Sequence, residues 1–136
     1  MKRKPYFQDP YRPLFHYTAQ SHVINDPNGL LYYDGEYHLM HQYNIHNHIH
    51  WGHAVSRDLI HWEHLPPALE PDTIGQIWSG SAVIDWNNTS GLQTGKEPVF
   101  VALFTYNEHV DRSRARAWLT ATTVGEPGGN TGEIRC

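Results

Sequence analysis

Cysteine is nearly absent from this sequence: Cys136, the last residue, stands alone. No disulfide can form within the chain, so burial and hydrogen bonding have to hold it together, and the expected location is cytoplasmic. Positive charge is also scarce. Ten Lys and Arg against fourteen Asp and Glu leave a formal net charge of −4. A mildly acidic chain has no electrostatic draw toward nucleic acid or an anionic membrane, and neither is an expected partner. Long apolar runs are missing, so no segment reads as a membrane span. The early basic residues Lys2, Arg3 and Lys4 lead into the polar, proline-broken stretch "MKRKPYFQDPYRP", which lacks the apolar run of a secretory leader. Without that leader the Asn-x-Thr/Ser sequons at Asn87 and Asn88 carry no weight. Sustained helical periodicity is absent too.

What remains is strand-like. The 136 residues, with five Trp and eight Tyr, are enough for one domain with a core. "GLLYYDGEYHLMHQY" reads as a β-hairpin, since Asp34-Gly35 is the dipeptide of a type I′ turn and strand formers flank it. "HWGHAVS" (50–56) and "IHWEHL" (60–65) read as two further strands across an "RDL" bend, ended by Pro66-Pro67. "WSGSAVID" (78–85) opens a second set, "WNNTSGLQTGKEP" is a turn-rich loop, and "VFVALFTY" (99–106) reads as a buried strand. Antiparallel meanders in series are the pattern of a β-propeller. The fold class expected is therefore all-β, with about one and a half blades of an incomplete propeller.

Asp26, in "INDPNGLLYYDGEYHLMHQYN", has two readings. Asp-Pro-Asn-Gly is good type I turn chemistry, with proline fixing φ and glycine closing the turn. The same proline would also hold Asp26 rigidly at the mouth of a strand. A rigid carboxylate is what cleavage of a glycosidic bond requires, because the bond breaks through an oxocarbenium-like state. The eleven histidines supply a rival chemistry: His46, His48 and His50 alternate, and on one strand three imidazoles would share a face able to hold zinc or nickel. The plainer reading is a solvated loop ahead of the "HWGHA" strand, and no metal is expected.

"NDPNG" (25–29), "HQYN" (41–44), "HWGHAVSRDLIHWEHLPPAL" (50–69) and "WSGSAVIDWNNTSG" (78–91) follow one another in an order and spacing that resemble the family 32 glycoside hydrolases, the invertase, levanase and inulinase family. The resemblance covers roughly residues 11 to 107. It implies a five-bladed β-propeller with a β-sandwich behind it, and hydrolysis of β-fructofuranosidic bonds in sucrose or fructans, with retention and without a cofactor. It makes Asp26 the nucleophile. It places Asn25, Gln42 and Ser79 in contact with the sugar, with Trp51 as a wall of the pocket and Trp78 where phenylalanine is usual. Read without the resemblance, Trp51, Trp62 and Trp78 are ordinary core aromatics and Gln42 a solvent-facing strand residue. Val23-Ile24 stand where the family has Trp-Met, a departure that bears on substrate preference.

Two pieces of the family's chemistry are missing. Retaining hydrolysis needs a second carboxylate roughly 5 to 5.5 Å from the first. The family's Glu-Cys acid/base motif and its Arg-Asp-Pro motif do not occur; Arg57-Asp58 belongs to the first meander, and Cys136 follows Arg135. From Arg112 to Cys136 the composition shifts to Arg, Ala, Thr and Gly. A permitted set of codons for those residues, read two nucleotides later, encodes QPGQGVAYSNDRGRTWGKYRGNPV, close to the family's usual continuation. The expected organisation is a propeller portion over 1–111 and an out-of-frame, disordered tail over 112–136. The expected function is a truncated, weakly active or inactive fructosidase, the alternative being a non-catalytic sugar-binding module or a remnant.

Overall fold

The computed structural model describes residue 7, residues 10–73 and 75–107, and the backbone alone of residue 108 and of strands 115–123 and 132–134. Among the described residues there are eight strands: β1 (Val23–Tyr33), β2 (Glu36–Ile45), β3 (His48–Ser56), β4 (Glu63–Leu69), β5 (Gly75–Asp85), β6 (Val99–Glu108), β7 (Ala115–Thr123) and β8 (Gly132–Ile134). They form two four-stranded antiparallel meanders, β1-β2-β3-β4 and β5-β6-β7-β8. This is the all-β, blade-by-blade architecture that the strand pattern predicts. The sequence pattern ended the second meander at Tyr106; the backbone adds β7 and β8. The expectation of an out-of-frame, disordered tail over 112–136 falls on residues of which only the backbone of β7 and β8 is described.

Local chemistry accounts for most connections. Asp34 and Gly35 both have positive φ (48° and 83°), the type I′ geometry that matches the twist of the flanking strands. His46 and Asn47 repeat it between β2 and β3 (51° and 67°). His46 therefore sits in a turn and His48 opens β3, so the three alternating histidines do not share one strand. Between β3 and β4, Asp58 accepts the Ile60 and His61 amides at 2.9 and 2.8 Å and pairs with the His61 ring at 2.7 Å. These donors, the His61 side chain foremost, hold the Asp58 carboxyl far below the usual range. Asp85 closes the β5–β6 loop the same way, through the Thr89 and Ser90 amides at 2.8 Å each.

One boundary differs from the sequence reading. Pro66-Pro67 does not end a strand: β4 starts at Glu63 and runs through both prolines to Leu69. It is the edge of the first meander, and its register against β3 slips between Trp51↔Leu69 and His53↔Leu65. An edge strand with a slipped ladder tolerates residues that lack an N–H.

The core lies between the two meanders. Met40, Trp51 and Leu69 from the first meet Ile77, Ala82, Phe100, Ala102, Phe104 and Tyr106 from the second. Trp51 is completely buried. Beside this apolar patch the His38 and His53 rings stack at 5.3 Å, Nδ1 to Nε2 at 3.0 Å, and the edge of Phe100 closes on His38. Burial pushes the His53 imidazole down to about 4, helped by His38 and His41; burial also lowers His38.

A histidine kept neutral by folding protonates more readily in the unfolded chain, so stability falls as pH drops from the ordinary value of 6.5 toward about 4. The slope expected from His53 alone is about 1.4 kcal/mol per pH unit across that window, up to about 3 kcal/mol. Urea unfolding at pH 7.5, 6, 5 and 4.5 should show that decline, and His53→Asn should flatten it; a wild-type curve without pH dependence would contradict the assignment. Trp51→Ala should cost about 3–5 kcal/mol in the same assay at pH 7.5, as expected for emptying a fully buried aromatic site.

Candidate active site

Two bulged strands, β1 and β5, build the site. In β1 the register against β2 slips between Ile24 and Pro27 and again between Asn28 and Leu31. Asp-Pro-Asn-Gly therefore does not fold back as a turn; it lies within the strand, and the irregularity swings Asn25 and Asp26 out to the exposed surface. Gly29 makes this possible. Its φ is +49°, and a Cβ there would lie 2.5 Å from the Met40 sulfur and 3.3 Å from the Trp51 ring. In β5 the register against β6 slips between Ile77 and Gly80, and this second bulge carries Trp78 and Ser79. Gly80 is held to glycine because a Cβ would come within 2.2 Å of the Leu103 carbonyl oxygen.

The bulges face each other across the two meanders. The Ser79 hydroxyl donates to Asp26 Oδ2 at 2.5 Å, and Gln42 Nε2 donates to Ser79 Oγ at 2.7 Å. A line of donors thus runs from β2 through β5 to a carboxylate on β1. It fixes one oxygen of Asp26, and Oδ1 has no partner among the described residues. An oriented, exposed carboxylate can attack an electron-poor carbon or stabilise positive charge there.

The sequence-derived candidates separate into two groups. Asn25, Asp26, Gln42, Ser79 and Trp78 come together around the facing bulges, with Asn25 and Asp26 exposed, Trp78 partly so, and Gln42 and Ser79 half-buried. Trp51 does not wall a pocket. It has no exposed surface, and its Nε1 donates to the Trp78 carbonyl at 2.8 Å, supporting the β5 bulge from inside the core. Gln42 and Ser79 are bonded to each other and to Asp26 here. Sequence reasoning missed Asn28, which is buried and accepts the Gly80 amide through Oδ1 at 3.1 Å. It also missed Gln76, which accepts the Ile49 amide at 3.0 Å. Neither position departs from its strand's ordinary polarity, so only the bulge geometry exposes them.

Five other acids are committed elsewhere. Glu36 pairs with Arg57 at 3.1 Å, Glu97 accepts the Tyr33 hydroxyl at 2.8 Å, Tyr106 donates to Asp72, and Asp58 and Asp85 close their own loops. Among the described residues no three His, Cys, Asp or Glu side chains gather as a metal site.

Residues 16–126 match the family model described as the glycosyl hydrolases family 32 N-terminal domain. A levanase of Bacillus subtilis is 57% identical over 104 residues, which are 74% of this chain and 15% of the levanase. An extracellular exo-inulinase of Aspergillus awamori is 48% identical over 109 residues, 73% of this chain and 20% of that protein. The crystal structure of an exo-inulinase from the same fungus superposes with a TM-score of 0.79 at 35% identity, covering 93% of this chain and 28% of that one. A β-fructofuranosidase of Schwanniomyces occidentalis, complexed with fructosyl-erythritol, gives 0.76 at 34% identity, over 90% of this chain and 25% of its own. The chain therefore spans less than a third of each of these relatives. With a family match over most of its length, and Asp26, Gln42 and Ser79 assembled on two blades, this chain belongs to glycoside hydrolase family 32, as an N-terminal part of its five-bladed β-propeller.

Proposed function

We propose that this chain carries the nucleophile half of a retaining β-fructofuranosidase acting on sucrose or a fructan. The observation that supports it most is the Gln42–Ser79–Asp26 line, which orients an exposed carboxylate inside the family's own motif. Asp26 Oδ1 attacks the anomeric carbon of the fructosyl unit. The bond to the leaving oxygen breaks as that oxygen takes a proton from an acid, and a covalent fructosyl ester remains. Water, deprotonated by the same group, then attacks the anomeric carbon, and Asp26 leaves as the carboxylate. Ser79 supplies a hydrogen bond that keeps Asp26 aimed. Asn25 and Trp78 are the exposed groups placed to meet the sugar. No described carboxylate stands in as the acid, in keeping with a Glu-Cys motif further along the family's chains. The 136 residues by themselves should therefore release little or no fructose.

The reading includes the tail: the codons for 112–136 are proposed to be out of frame. Sequencing the gene across this region tests that directly. A frame shifted by two nucleotides should encode Ala-Tyr-Ser-Asn-Asp and, beyond it, Arg-Asp-Pro and Glu-Cys; codons incompatible with that frame would remove this part of the proposal.

In the frame-restored protein, Asp26→Asn should lower kcat for fructose release by more than about 10³-fold. Ser79→Ala should cost about 10- to 100-fold, the value of one hydrogen bond to a charged group. Undiminished fructose release by Asp26→Asn would refute the nucleophile assignment.

A further inference from the structure

We propose that Asn28 is the positioning residue of this site: its buried hydrogen bond to Gly80 sets the distance between the Asp26 bulge and the Ser79 bulge. The inference rests on reading Asp26 as the nucleophile and adds a residue that never touches the substrate.

β1 and β5 lie in different meanders and share no backbone ladder. The Asp26–Ser79 bond joins them, but it lies at the exposed surface, where water competes for both groups. The Asn28–Gly80 bond joins them from within. Asn28 is only 2% exposed, and in that low-dielectric setting a hydrogen bond is stronger and harder to exchange for water. The spacing matters as much as the burial. Asn28 lies two residues after Asp26, and Gly80 directly follows Ser79. On the other side of Ser79, the Trp78 carbonyl accepts from Trp51 Nε1. Ser79 is thus bracketed: the residue before it is held by Trp51, and the residue after it by Asn28. With both neighbours fixed, its hydroxyl has one place to go, against Asp26.

Two further features argue against a simple filler role. The Asn28 Nδ2 amide is buried without a partner among the described residues, a desolvation cost that leucine would avoid. A Cβ at Gly29 would meet Ala82 of β5 at 3.2 Å, so β1 approaches the opposing meander as closely as this bond requires.

The test uses the full chain, labelled with nitrogen-15, and reads two signals: hydrogen exchange of the Gly80 amide and the chemical shifts of the Gln42 side-chain amide, which donates to Ser79. Asn28→Leu, of the same branched shape but without an acceptor, should speed Gly80 exchange by at least about tenfold and move the Gln42 signals. Asn28→Asp, which keeps an acceptor oxygen, should preserve both. Val99→Ala, which empties a buried site elsewhere in β6, should lower the melting temperature without moving the Gln42 signals. Unchanged Gln42 signals in Asn28→Leu, or equal movement in Val99→Ala, would overturn the proposal. If Asn28→Leu does not fold, Asn28→Ser, which shortens the side chain and withdraws the acceptor from Gly80, is read in its place against the same two outcomes. Full activity of Asp26→Asn in the frame-restored enzyme would remove the nucleophile reading and leave these signals unaffected, so the two failures are distinguishable.

Discussion

A single indole N–H does much to tie this structure together. Trp51 lies in the centre of the core, where its rings meet side chains of both meanders, and it has one polar atom to satisfy. It satisfies that atom with the carbonyl of Trp78. The same side chain therefore supplies apolar burial between the blades and a fixed point for the β5 bulge. Gly29 must stay small to leave room for it, and Met40 packs alongside. The site at the surface takes its shape from this buried group.

The geometry also explains why the carboxylate and its partners come from residues far apart in the chain. A propeller blade is a plain meander, and regular strands would send Asp26 and Ser79 along the ordinary alternation of their sheets. The bulges break that alternation at the places where β1 and β5 approach. Gly29 and Gly80 stay small because their surroundings leave no space for a side chain: Met40, Ala82 and Trp51 crowd Gly29, and the adjacent β6 strand crowds Gly80. Packing tightness between blades and aim at the site are one constraint. A looser interface between the blades would release the angle at which Asp26 meets Ser79.

Much of this was legible in the sequence. The Asp34-Gly35 turn, the meander order and the strand nature of residues 99–106 follow from turn chemistry and β-patterned runs, which are local signals. Asp26, Gln42 and Ser79 were found because their motifs occur in a fixed order. The turn reading of Asp-Pro-Asn-Gly fails for an identifiable reason: its proline and glycine serve a bulge, and a bulge uses the same residues as a turn while keeping the strand going. Trp51 was misplaced at the pocket wall because sequence distinguishes an aromatic near a site from one beneath it only through burial, and burial depends on the facing blade. Pro66-Pro67 misled in the same way, since only the sheet's edge makes two prolines acceptable in a strand. Asn28 left no local trace at all.

These misreadings share a cause that bears on the chemistry. The local signals describe each meander by itself, whereas everything that aims Asp26 crosses from one meander to the other: Ser79 to Asp26, Gly80 to Asn28, and Trp51 to Trp78. The second meander therefore does more than cover the first. It supplies the donor that holds the carboxylate, and the first meander, through Trp51 and Asn28, supplies both anchors of that donor's backbone. An isolated first meander would keep Asp26 in sequence and lose it as an oriented group, because its partner hydroxyl and the Gly80 amide would be gone. The smallest unit that can present this carboxylate in that orientation is thus the pair of blades, with the interface between them as the element that makes a carboxylate on a strand into a directed one.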